Sequence, residues 1–329
     1  ETARGEVSGI IGMTGDADGS LAMRFGESCI IGIVEKMLGE KVTEMNRSVL
    51  DAVGGLTNMI SGSARKLMEK DDLKVIADNH PHIDAVINLA AKAGVRDSLI
   101  DPWSYYDTNL TGTLNLLEIC RHYDIRKFVL ASTSSIYGED APYPTPETAG
   151  SSRPLQPYAA SKKAAETLCH SFHFIYGMDI TVVRYFTVYG PAGRPQMSMF
   201  RFNKWITEGK PVRIFGDGKQ TRGFTYLDDI SRGTILALKD VGYEIVNLGG
   251  HESISINDLI AKFENAIGKK AHVTYEPAHP ADMSASWADV SKAKQLLGWN
   301  PKFTLDSGIA EVVRWYQQEN SWASQVNIE

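Results

Sequence analysis

Short apolar runs alternate with amphipathic segments in the middle of the chain, and this alternation predicts strands followed by helices. The runs DAVINLA (84–90), KFVLAS (127–132) and DITVVRYF (179–186) are short and rich in aliphatic residues, as buried strands are. Between them, residues 108–123 and 157–172 place apolar side chains three and four positions apart, which is typical of helices. Strands that alternate with helices at this spacing predict an α/β fold with a parallel, doubly wound (Rossmann-like) sheet.

The two ends of the chain have a different pattern from the middle. Residues 6–15 and 19–25 predict two strands joined by a polar turn, and residues 27–40 and 48–70 predict two helices. After Pro191, short strands, loops and helices predict a smaller C-terminal lobe. We therefore expect three parts, which are residues 1–71, 72–190 and 191–329.

Composition and charge exclude several classes of partner. The chain has 329 residues, of which 43% are hydrophobic, enough for a core in one large or two smaller domains. Its net charge of −6 argues against nucleic acid or an anionic membrane as the main partner. No apolar run is long enough to span a bilayer, so a cytoplasmic protein is expected. Cys29, Cys120 and Cys169 lack the spacing of metal ligands, so we predict buried thiols and no metal site.

Tyr158 and Lys162 are the first candidates for chemistry. Residues four apart lie on one face of a helix, which would bring the Lys162 ammonium close to the Tyr158 phenol. A nearby ammonium favours the phenolate and lowers the pKa of the phenol, which prepares it for general-base catalysis. The run ASTSSIYG (131–138) follows a predicted strand, at the edge where parallel sheets bind ligands. A simpler interpretation stays open, in which Lys162 is solvated and the hydroxyls cap turns.

Further motifs surround Tyr158 and Lys162 and carry a family resemblance. They are NLAAKAGVRDS (88–98), Asn109, ASTSSIYG (131–138), RYFTVYGPAGRP (184–195), FGDGKQTRGFTYLDDI (215–230) and HPADMSASWADVSKAKQLLGW (279–299). With these motifs, residues 72–329 resemble the extended short-chain dehydrogenase/reductase family. Within that family they are most similar to the nucleotide-sugar 4-epimerases, and above all to the UDP-glucuronate 4-epimerases.

The resemblance implies roles for individual residues. Tyr158 would be the acid/base, Lys162 would hold the nicotinamide ribose, and Thr133 would be the partner hydroxyl on the sugar. The implied cofactor is NAD, flanked by Ala90, Lys92, Asn109, Tyr158, Lys162 and Tyr185. The implied substrate is a UDP-sugar, whose UDP portion would be held by Arg194, Arg222 and Asp282. A homodimer is compatible with the resemblance, and Gly223 departs from it because the family usually has an aspartate there.

The loop after the predicted strand 127–132 indicates which reaction is feasible. Related 4,6-dehydratases resemble one another in having Thr-Asp-Glu in this loop, and uronate decarboxylases have a glutamate at the position of Ser135. Here Thr133, Ser134 and Ser135 offer hydroxyls but no carboxyl group. The resemblance therefore implies epimerisation at C4. Thr187 stands where galactose-type epimerases have asparagine, so with Ser134 and Ser135 it could hold the carboxylate of a uronate.

The start of the chain departs from the family. The family begins with a strand and a turn, Thr-Gly-x-x-Gly-Phe-Ile-Gly, which places the cofactor pyrophosphate at a helix N-terminus. In this chain Gly12, Gly15 and Gly19 lie in a stretch that lacks this spacing and joins two predicted strands. The Rossmann-like sheet is therefore predicted to lack its first strands, and NAD, although expected from the family, is expected to bind weakly or not at all.

Residues 1–70 resemble a different family, the CheX/CheC chemotaxis phosphatases. Asp51, Asn58 and Leu67 fit the phosphatase signature, but Gly55 occupies the position of its glutamate. Asn58 is thus predicted to be a remnant of a phosphatase site, and a response regulator is not expected as a partner. Two interpretations stay open: an epimerase by descent with an impaired cofactor site, or an engineered chimera that binds a UDP-sugar without catalysis.

Overall fold

The chain alternates strands and helices in the order that its hydrophobic pattern predicts over residues 85–185. The structure is a computed structural model and describes residues 7–13, 19–25, 74, 77, 78, 83–277 and 285–328. Its strands are β1 (Val7–Met13), β2 (Gly19–Phe25), β3 (Ala85–Asn88), β4 (Lys127–Thr133), β5 (Asp179–Tyr185), β6 (Thr187–Tyr189), β7 (Val212–Phe215), β8 (Thr221–Tyr226), β9 (Tyr243–Leu248), β10 (Glu252–Ser255), β11 (Val273–Glu276) and β12 (Ala285–Ser286). Its α-helices are α1 (Pro102–Tyr106), α2 (Gly112–His122), α3 (Pro157–Tyr176), α4 (Ser198–Glu208), α5 (Leu227–Leu236), α6 (Ile256–Ile267), α7 (Leu305–Gln318) and α8 (Asn320–Ala323).

A parallel four-stranded sheet in the order β3-β4-β5-β9 is the centre of the fold. Side chains on a strand alternate between the two faces of a sheet. Accordingly, Phe128 and Leu130 of β4 pack with helices α2 and α3, whereas Val129 packs with Ile230 of α5 and with Trp299. Helices therefore cover both faces of the sheet, which confirms the predicted α/β fold with a parallel, Rossmann-like sheet.

Strand β3 is less buried than the sequence predicts. The run 84–90 reads as a buried strand, but only Asn88 of Ala85–Asn88 is buried and the other three residues are partly exposed. The physical reason is its position, because β3 pairs with β4 and with no other strand that the structure describes.

The two predicted N-terminal strands form an antiparallel pair. Strands β1 and β2 are in register from Val7 opposite Phe25 to Met13 opposite Gly19. The expectation that the N-terminal glycines lack the spacing of the family's Gly-rich turn is wrong, because Gly9, Gly12 and Gly15 follow one another at intervals of three residues, as in that turn. Gly9 and Gly12 nevertheless lie within β1, so the described backbone does not form the strand–turn–helix unit that cradles a pyrophosphate. The predicted helices at 27–40 and 48–70, with Asp51, Gly55, Asn58 and Leu67, lie outside the described residues.

The C-terminal part forms a lobe with its own core. Strand β8 pairs with β6, β10 and β12, and β7 pairs with β11. Helices α4, α6 and α7 pack beside these strands around Trp205, Phe224, Phe263 and Tyr316. However, β9 belongs in sequence to residues 191–329 and in space to the central sheet, where it pairs with β5. The lobe is thus not a continuous stretch of the chain, because β9 leaves it and pairs with the edge of the central sheet before the chain continues into the lobe at β10.

Two of the three cysteines are buried thiols, as the sequence predicts. Cys120 and Cys169 are free and buried, and Cys29 lies outside the described residues. Burial raises the pKa of Cys120 to about 12 and also raises the pKa of Cys169, so both thiols stay protonated at neutral pH. In the part of the chain that the structure describes, no helix is long and apolar enough to cross a membrane, and no cluster of side chains could hold a metal ion.

Asp229, in the first turn of α5, joins that helix to the segment that precedes α7. Its buried carboxylate accepts hydrogen bonds from the backbone N–H groups of Lys302 and Phe303, each at 2.9 Å, and from the guanidinium of Arg232 at 2.6 Å. Its backbone carbonyl accepts a hydrogen bond of 2.8 Å from the indole of Trp299. One buried carboxylate therefore satisfies two backbone donors of this segment and holds the segment against α5.

We expect Asp229→Ala to lower the free energy of unfolding by about 3 kcal/mol, because it leaves two backbone donors and a guanidinium without their acceptor. Urea denaturation would measure this loss. Asp228→Ala is the matched control, since Asp228 is the adjacent and exposed residue. Equal losses in the two variants would contradict the assignment.

Candidate active site

Helix α3 carries the two central candidates at its N-terminal end. Pro157 occupies its first turn, where a missing N–H costs nothing, and Gly177 ends it in the left-handed conformation at φ 67°. Tyr158 and Lys162 follow Pro157 one turn apart, as the sequence predicts. The helix packs against β4, β5 and the short turn that follows β4, so its first turns lie near the carboxyl ends of these strands.

Lys162 is a buried cation without a hydrogen-bond acceptor. Its side chain is 2% exposed, and its Nζ has no hydrogen-bond partner among the described residues. Burial lowers its pKa to about 8, because the charged form loses its hydration. An unpartnered ammonium at this depth is costly, and it suits a ligand that supplies oxygen acceptors such as hydroxyl groups.

Tyr158 is half-buried, and its environment differs from the one that the sequence predicts. Its ring meets the edge of Tyr105, with centroids 6.2 Å apart. Burial raises the pKa of Tyr158, and a hydrogen bond with Thr133 and the positive charge of Arg194 offset only part of this rise. The sequence predicts a pKa lowered by Lys162, so the direction is wrong, because removal from water outweighs the favourable groups. Arg194 rather than Lys162 supplies the opposing charge.

Thr133 combines the two roles that the sequence left open for the hydroxyls. It is the last residue of β4, and its side chain caps the short 3₁₀ turn Ser134–Tyr137 by accepting the N–H of Ser135 at 3.2 Å. Its hydroxyl also donates to the Oγ of Ser135 at 3.2 Å. Thr133 is also one of the groups that lower the pKa of Tyr158 against the effect of burial, so a residue that organises a turn acts on the candidate acid/base.

Asn109 connects the loop after β3 to helix α3. Its Oδ1 accepts the N–H of Lys92 at 2.8 Å, and its Nδ2 donates to the carbonyl of Lys92 at 3.0 Å and to the Oγ of Ser161 at 2.9 Å. Ser161 in turn donates to the carbonyl of Tyr158 at 2.8 Å. Asn109 is fully buried and holds this loop against the turn that carries Tyr158 and Lys162.

Three other candidates for the cofactor site have structural partners. The Nζ of Lys92 donates to Ser104 at 2.6 Å and to Asp101 at 3.3 Å. The exposed Ala90 donates its N–H to the side chain of Asn88 at 3.2 Å. The hydroxyl of Tyr185 pairs with that of Thr234 on α5 at 2.8 Å, and burial raises the pKa of Tyr185 to about 12. Contacts of Ala90, Lys92 and Tyr185 with a cofactor stay predictions.

One small cavity is lined by the candidate substrate residue Ser134 and lies next to the strands of two others, Thr187 and Arg222. Its lining residues come from the 3₁₀ turn, from the loop after it, from the start of β6 and from β12. They are Ser134, Tyr137, Gly138, Ala141, Tyr143, Thr145, Phe186, Ala285 and Ser286. Thr187 directly follows Phe186, and Arg222 is the register partner of Ser286 between β8 and β12. Ser134, the strand of Thr187 and the strand of Arg222 therefore all lie at or next to the wall of this cavity.

Arg194 lies over the loop after β3 rather than in solvent. Its guanidinium donates to the carbonyl of Ala93 at 3.2 Å and to the carboxylate of Asp97 at 3.4 Å. Burial raises the pKa of Tyr158, and the positive charge of Arg194 offsets part of this rise. Asp282, the third residue predicted for the UDP portion, lies outside the described residues.

The structure gives a reason for the glycine at position 223. A Cβ atom on Gly223 would lie 2.3 Å from the carbonyl oxygen of Gly250, which no real side chain tolerates. Gly250 itself has a φ of +73° and touches Phe186. The aspartate that the family usually has here therefore cannot fit between β8 and the 249–250 turn as they stand.

Several residues of the site escape sequence reasoning. Ser161 could have been noticed, because it lies between Tyr158 and Lys162 on the same helix. Glu166 could also have been noticed, because it follows Lys162 by one turn. Asp97 carries no such signal, since its partner Arg194 is far away in sequence.

Comparisons with known proteins agree on the family of this arrangement. The sequence model of the NAD dependent epimerase/dehydratase family matches residues 25–249. The chain is 56% identical over 247 residues to a UDP-glucuronate 4-epimerase of Thermodesulfobacterium geofontis, covering 75% of this chain and 76% of that protein. It is 34% identical over 331 residues to UDP-glucuronate 4-epimerase 1 of Arabidopsis thaliana, covering 94% and 76% respectively.

Solved structures give the same result. The UDP-glucuronic acid 4-epimerase of Bacillus cereus in complex with UDP-glucuronic acid and NAD is 41% identical, with a TM-score of 0.70, over 75% of this chain and 79% of that one. The UDP-glucose 4-epimerase of Thermotoga maritima with UDP-glucose is 32% identical, with a TM-score of 0.73, over 77% and 83%. The match to the family model begins at residue 25 and so includes residues 25–70. None of these comparisons supports the resemblance of residues 1–70 to chemotaxis phosphatases or a chimeric origin, so both stay predictions.

We expect Lys162→Met to stabilise the protein, by an amount that falls as the pH rises. Below pH 8 the ammonium is charged in the folded and the unfolded chain, and its burial opposes folding. Between about 8 and the ordinary value of 10.5 the unfolded chain binds the extra proton, so the stability of the wild type rises with pH. The variant should gain about 2 kcal/mol at pH 7 and less at pH 9.5, measured by urea unfolding.

The control for this substitution lies next to it on α3. Lys163 is partly exposed, and its ammonium is 3.2 Å from the carboxylate of Glu166, so Lys163→Met should not stabilise the protein at either pH. A gain in Lys162→Met that is the same at pH 7 and pH 9.5 would show that the buried ammonium is not the cause.

Proposed function

The chain belongs to the NAD dependent epimerase/dehydratase family, and from this membership we propose that its site catalyses the 4-epimerisation of UDP-glucuronate. The observation that carries the proposal is the group of side chains at the carboxyl end of β4. The Thr133 hydroxyl there lowers the pKa of Tyr158 against the larger effect of burial, Lys162 lies one turn away without an acceptor, and the adjoining turn offers only hydroxyls. This set can move a proton on a sugar hydroxyl, but it contains no second acid for an elimination.

Tyr158 is the residue that exchanges a proton with the substrate. We assign to its phenol the removal and the return of the proton on the sugar 4-hydroxyl, with the Thr133 hydroxyl as the hydrogen-bond partner that orients both groups. Thr133 suits this role because its own position is fixed by the backbone N–H of Ser135. Arg194 adds a positive charge that favours the phenolate.

Lys162 fits the nicotinamide ribose of NAD. Its buried ammonium lacks an acceptor in the protein, and the ribose hydroxyls would supply one. NAD supplies the hydride acceptor and donor at C4 that an epimerisation without net redox change requires. Lys162 would hold and orient that group, and Asn109 fixes the helical turn on which Lys162 lies.

The carboxylates near the site do not favour dehydration or decarboxylation. Thr133, Ser134 and Ser135 carry none. Asp97 is paired with Arg194, and Glu166 is buried against Arg184. Among the described residues around Tyr158 no free carboxylic acid can serve as the proton donor for removal of water or of carbon dioxide, whereas oxidation and reduction at C4 need only the proton exchange at Tyr158 besides the hydride transfer that NAD supplies.

A uronate is the sugar that the surrounding hydroxyls favour. Ser134 lines the cavity that also reaches Phe186, the residue before Thr187. Several hydroxyl donors around one point suit a carboxylate, because each can donate a hydrogen bond to one of its oxygens. The relatives from Thermodesulfobacterium geofontis, Arabidopsis thaliana and Bacillus cereus are described as UDP-glucuronate 4-epimerases and support the same choice.

The N-terminal strands bear on how tightly NAD is held. In the described backbone Gly9 and Gly12 lie within β1, which is antiparallel to β2, so they do not present a helix N-terminus to a pyrophosphate. Each lost charge-assisted hydrogen bond weakens binding by roughly 1.5–3 kcal/mol. We therefore propose that the chain retains little NAD through purification and needs added NAD for turnover.

We expect the purified protein to convert UDP-glucuronate to UDP-galacturonate only when NAD is added, and Tyr158→Phe to abolish this turnover. The substitution removes the hydroxyl that exchanges the proton and leaves the rest of the site in place, so the affinity for UDP-glucuronate should stay within a few-fold. Chromatography of the sugar nucleotides measures the conversion, and calorimetry measures the affinity.

The outcome also separates the two interpretations that the sequence left open. A protein that binds UDP-glucuronate but converts none of it at saturating NAD would support a scaffold without catalysis. Equal turnover in the wild type and in Tyr158→Phe would remove Tyr158 from its assigned role.

We further expect UDP-glucuronate to bind at least 10-fold more tightly than UDP-glucose, because a site built to hydrogen-bond a group discriminates against analogues that lack it. The double variant Ser134→Ala/Thr187→Val should lose this preference, with little change in the affinity for UDP-glucose. Calorimetry with both sugar nucleotides checks the prediction. Equal affinity of the wild type for the two would indicate a general hexose site.

A further inference from the structure

Glu166 is a fully buried carboxylate that follows Lys162 by one turn of α3. Its Oε1 accepts hydrogen bonds from the Oγ of Ser132 at 2.6 Å and from the Nε of Arg184 at 3.0 Å. Its Oε2 accepts from the guanidinium of Arg184 at 2.8 Å and from the ammonium of Lys163 at 3.2 Å. Four donors satisfy the carboxylate, so no hydrogen-bonding capacity is left for a substrate or a cofactor.

Glu166 stays ionised in this environment. Burial alone would raise its pKa, but the hydrogen bonds and charge of Arg184, with Ser132 and Lys163, hold the pKa below its ordinary value. Arg184 is also buried, and its guanidinium lies over the ring of Tyr137 at 4.8 Å. The pair is thus a closed ionic contact inside the protein rather than a reactive acid.

The position of this contact in the sheet is what connects it to the chemistry. Ser132 of β4 and Arg184 of β5 are register partners, so both side chains rise from the same face of the sheet toward α3. The next residue on β4 is Thr133, the hydroxyl beside Tyr158. On the helix side, Glu166 lies one turn beyond Lys162 and two turns beyond Tyr158.

We propose that Glu166, through Ser132 and Arg184, is a positioning residue that fixes the distance between Thr133 on the sheet and Tyr158 with Lys162 on the helix. The helix and the strand otherwise meet through apolar side chains such as Leu130, Ala165 and Cys169, which allow small sliding movements. Hydrogen bonds with defined directions restrict such movement, whereas apolar contacts do not. The inference rests on the proposed function, since it concerns the geometry of the groups that carry out that reaction.

The link from Ser132 to Glu166 is the part that can be removed without breaking the ion pair. Ser132→Ala deletes one hydroxyl and leaves the two hydrogen bonds between Arg184 and Glu166 in place. Glu166→Gln, by contrast, would leave the charge of Arg184 buried without compensation and could unfold the protein. The informative variant is therefore Ser132→Ala.

The matched control acts on the same ion pair from the other side. The Oγ of Ser151 accepts a hydrogen bond from the guanidinium of Arg184 at 3.5 Å, but Ser151 is not next to any of the candidate catalytic residues. Ser151→Ala therefore makes the same chemical change to the same pair without loosening the end of β4.

At saturating NAD, Ser132→Ala should lower kcat about 10- to 100-fold, because a small misplacement of catalytic groups is costly in rate. Its KM for UDP-glucuronate should stay within about two-fold, since Ser132 is buried and its hydroxyl donates to Glu166. Ser151→Ala should retain wild-type kcat, and Ser132→Thr, which keeps a hydroxyl donor, should recover most of the loss.

A second measurement tests the geometry without turnover. Tyrosine labelled with ¹³C at Cζ reports hydrogen bonding at the phenol, and Tyr158→Phe identifies the signal of Tyr158. At pH 7.5 this signal should shift in Ser132→Ala and stay unchanged in Ser151→Ala, because only the first change loosens the contact between Thr133 and Tyr158. The groups around Tyr158 that also influence the signal, Arg194 and Tyr105, are the same in both variants.

The two measurements distinguish failure of this inference from failure of the proposed function. If the wild type is inactive at every NAD concentration, the proposed function fails, and the shift of the Tyr158 signal decides the inference alone. If the wild type is active but Ser132→Ala matches Ser151→Ala in kcat and in the Tyr158 signal, the positioning role is overturned. A fall in kcat together with an equal fall in Ser151→Ala would overturn it as well.

Discussion

The ionic contact between Glu166 and Arg184 is the interaction on which the site depends. It joins the helix of Tyr158 and Lys162 to β5, and the hydrogen bond from Ser132 joins the same carboxylate to β4. A second, partly buried contact between Lys127 and Asp179 joins β4 and β5 at their amino ends, where Asp179 also accepts the N–H groups of Val241 and Gly242. Slippage of β4 against β5 would separate Lys127 from Asp179 and leave both charges uncompensated. Such slippage is therefore strongly disfavoured. A stable register in turn keeps Thr133 level with Tyr185.

Local sequence patterns predicted the central elements correctly. The strands β4 and β5 follow from short aliphatic runs, and the shared face of Tyr158 and Lys162 follows from a spacing of four within one helix. These features are local, because they depend on residues that are close in sequence. The same holds for the burial of Cys120 and Cys169, which lie on the apolar sides of α2 and α3.

Contacts between distant segments were beyond the reach of such patterns. The bond between Asn109 and Ser161 joins residues that are 52 positions apart, and the pair of Arg194 and Asp97 joins residues 97 positions apart. The return of β9 to the central sheet is equally non-local. The raised pKa of Tyr158 could not be predicted for a related reason, since it depends on how much water the folded protein excludes and not on the neighbouring lysine alone.

The close approach of Gly223 to Gly250 restricts how this part of the protein can change during evolution. A side chain cannot be introduced at position 223 while the backbone of Gly250 stays where it is, and Gly250 itself lies close to Phe186, which lines the small cavity beside Ser134. An aspartate at position 223 could therefore be accommodated only after the 249–250 turn had adopted another path. The effect of a substitution at one position depends on the other, so the order in which the two changes occur decides which sequences are accessible.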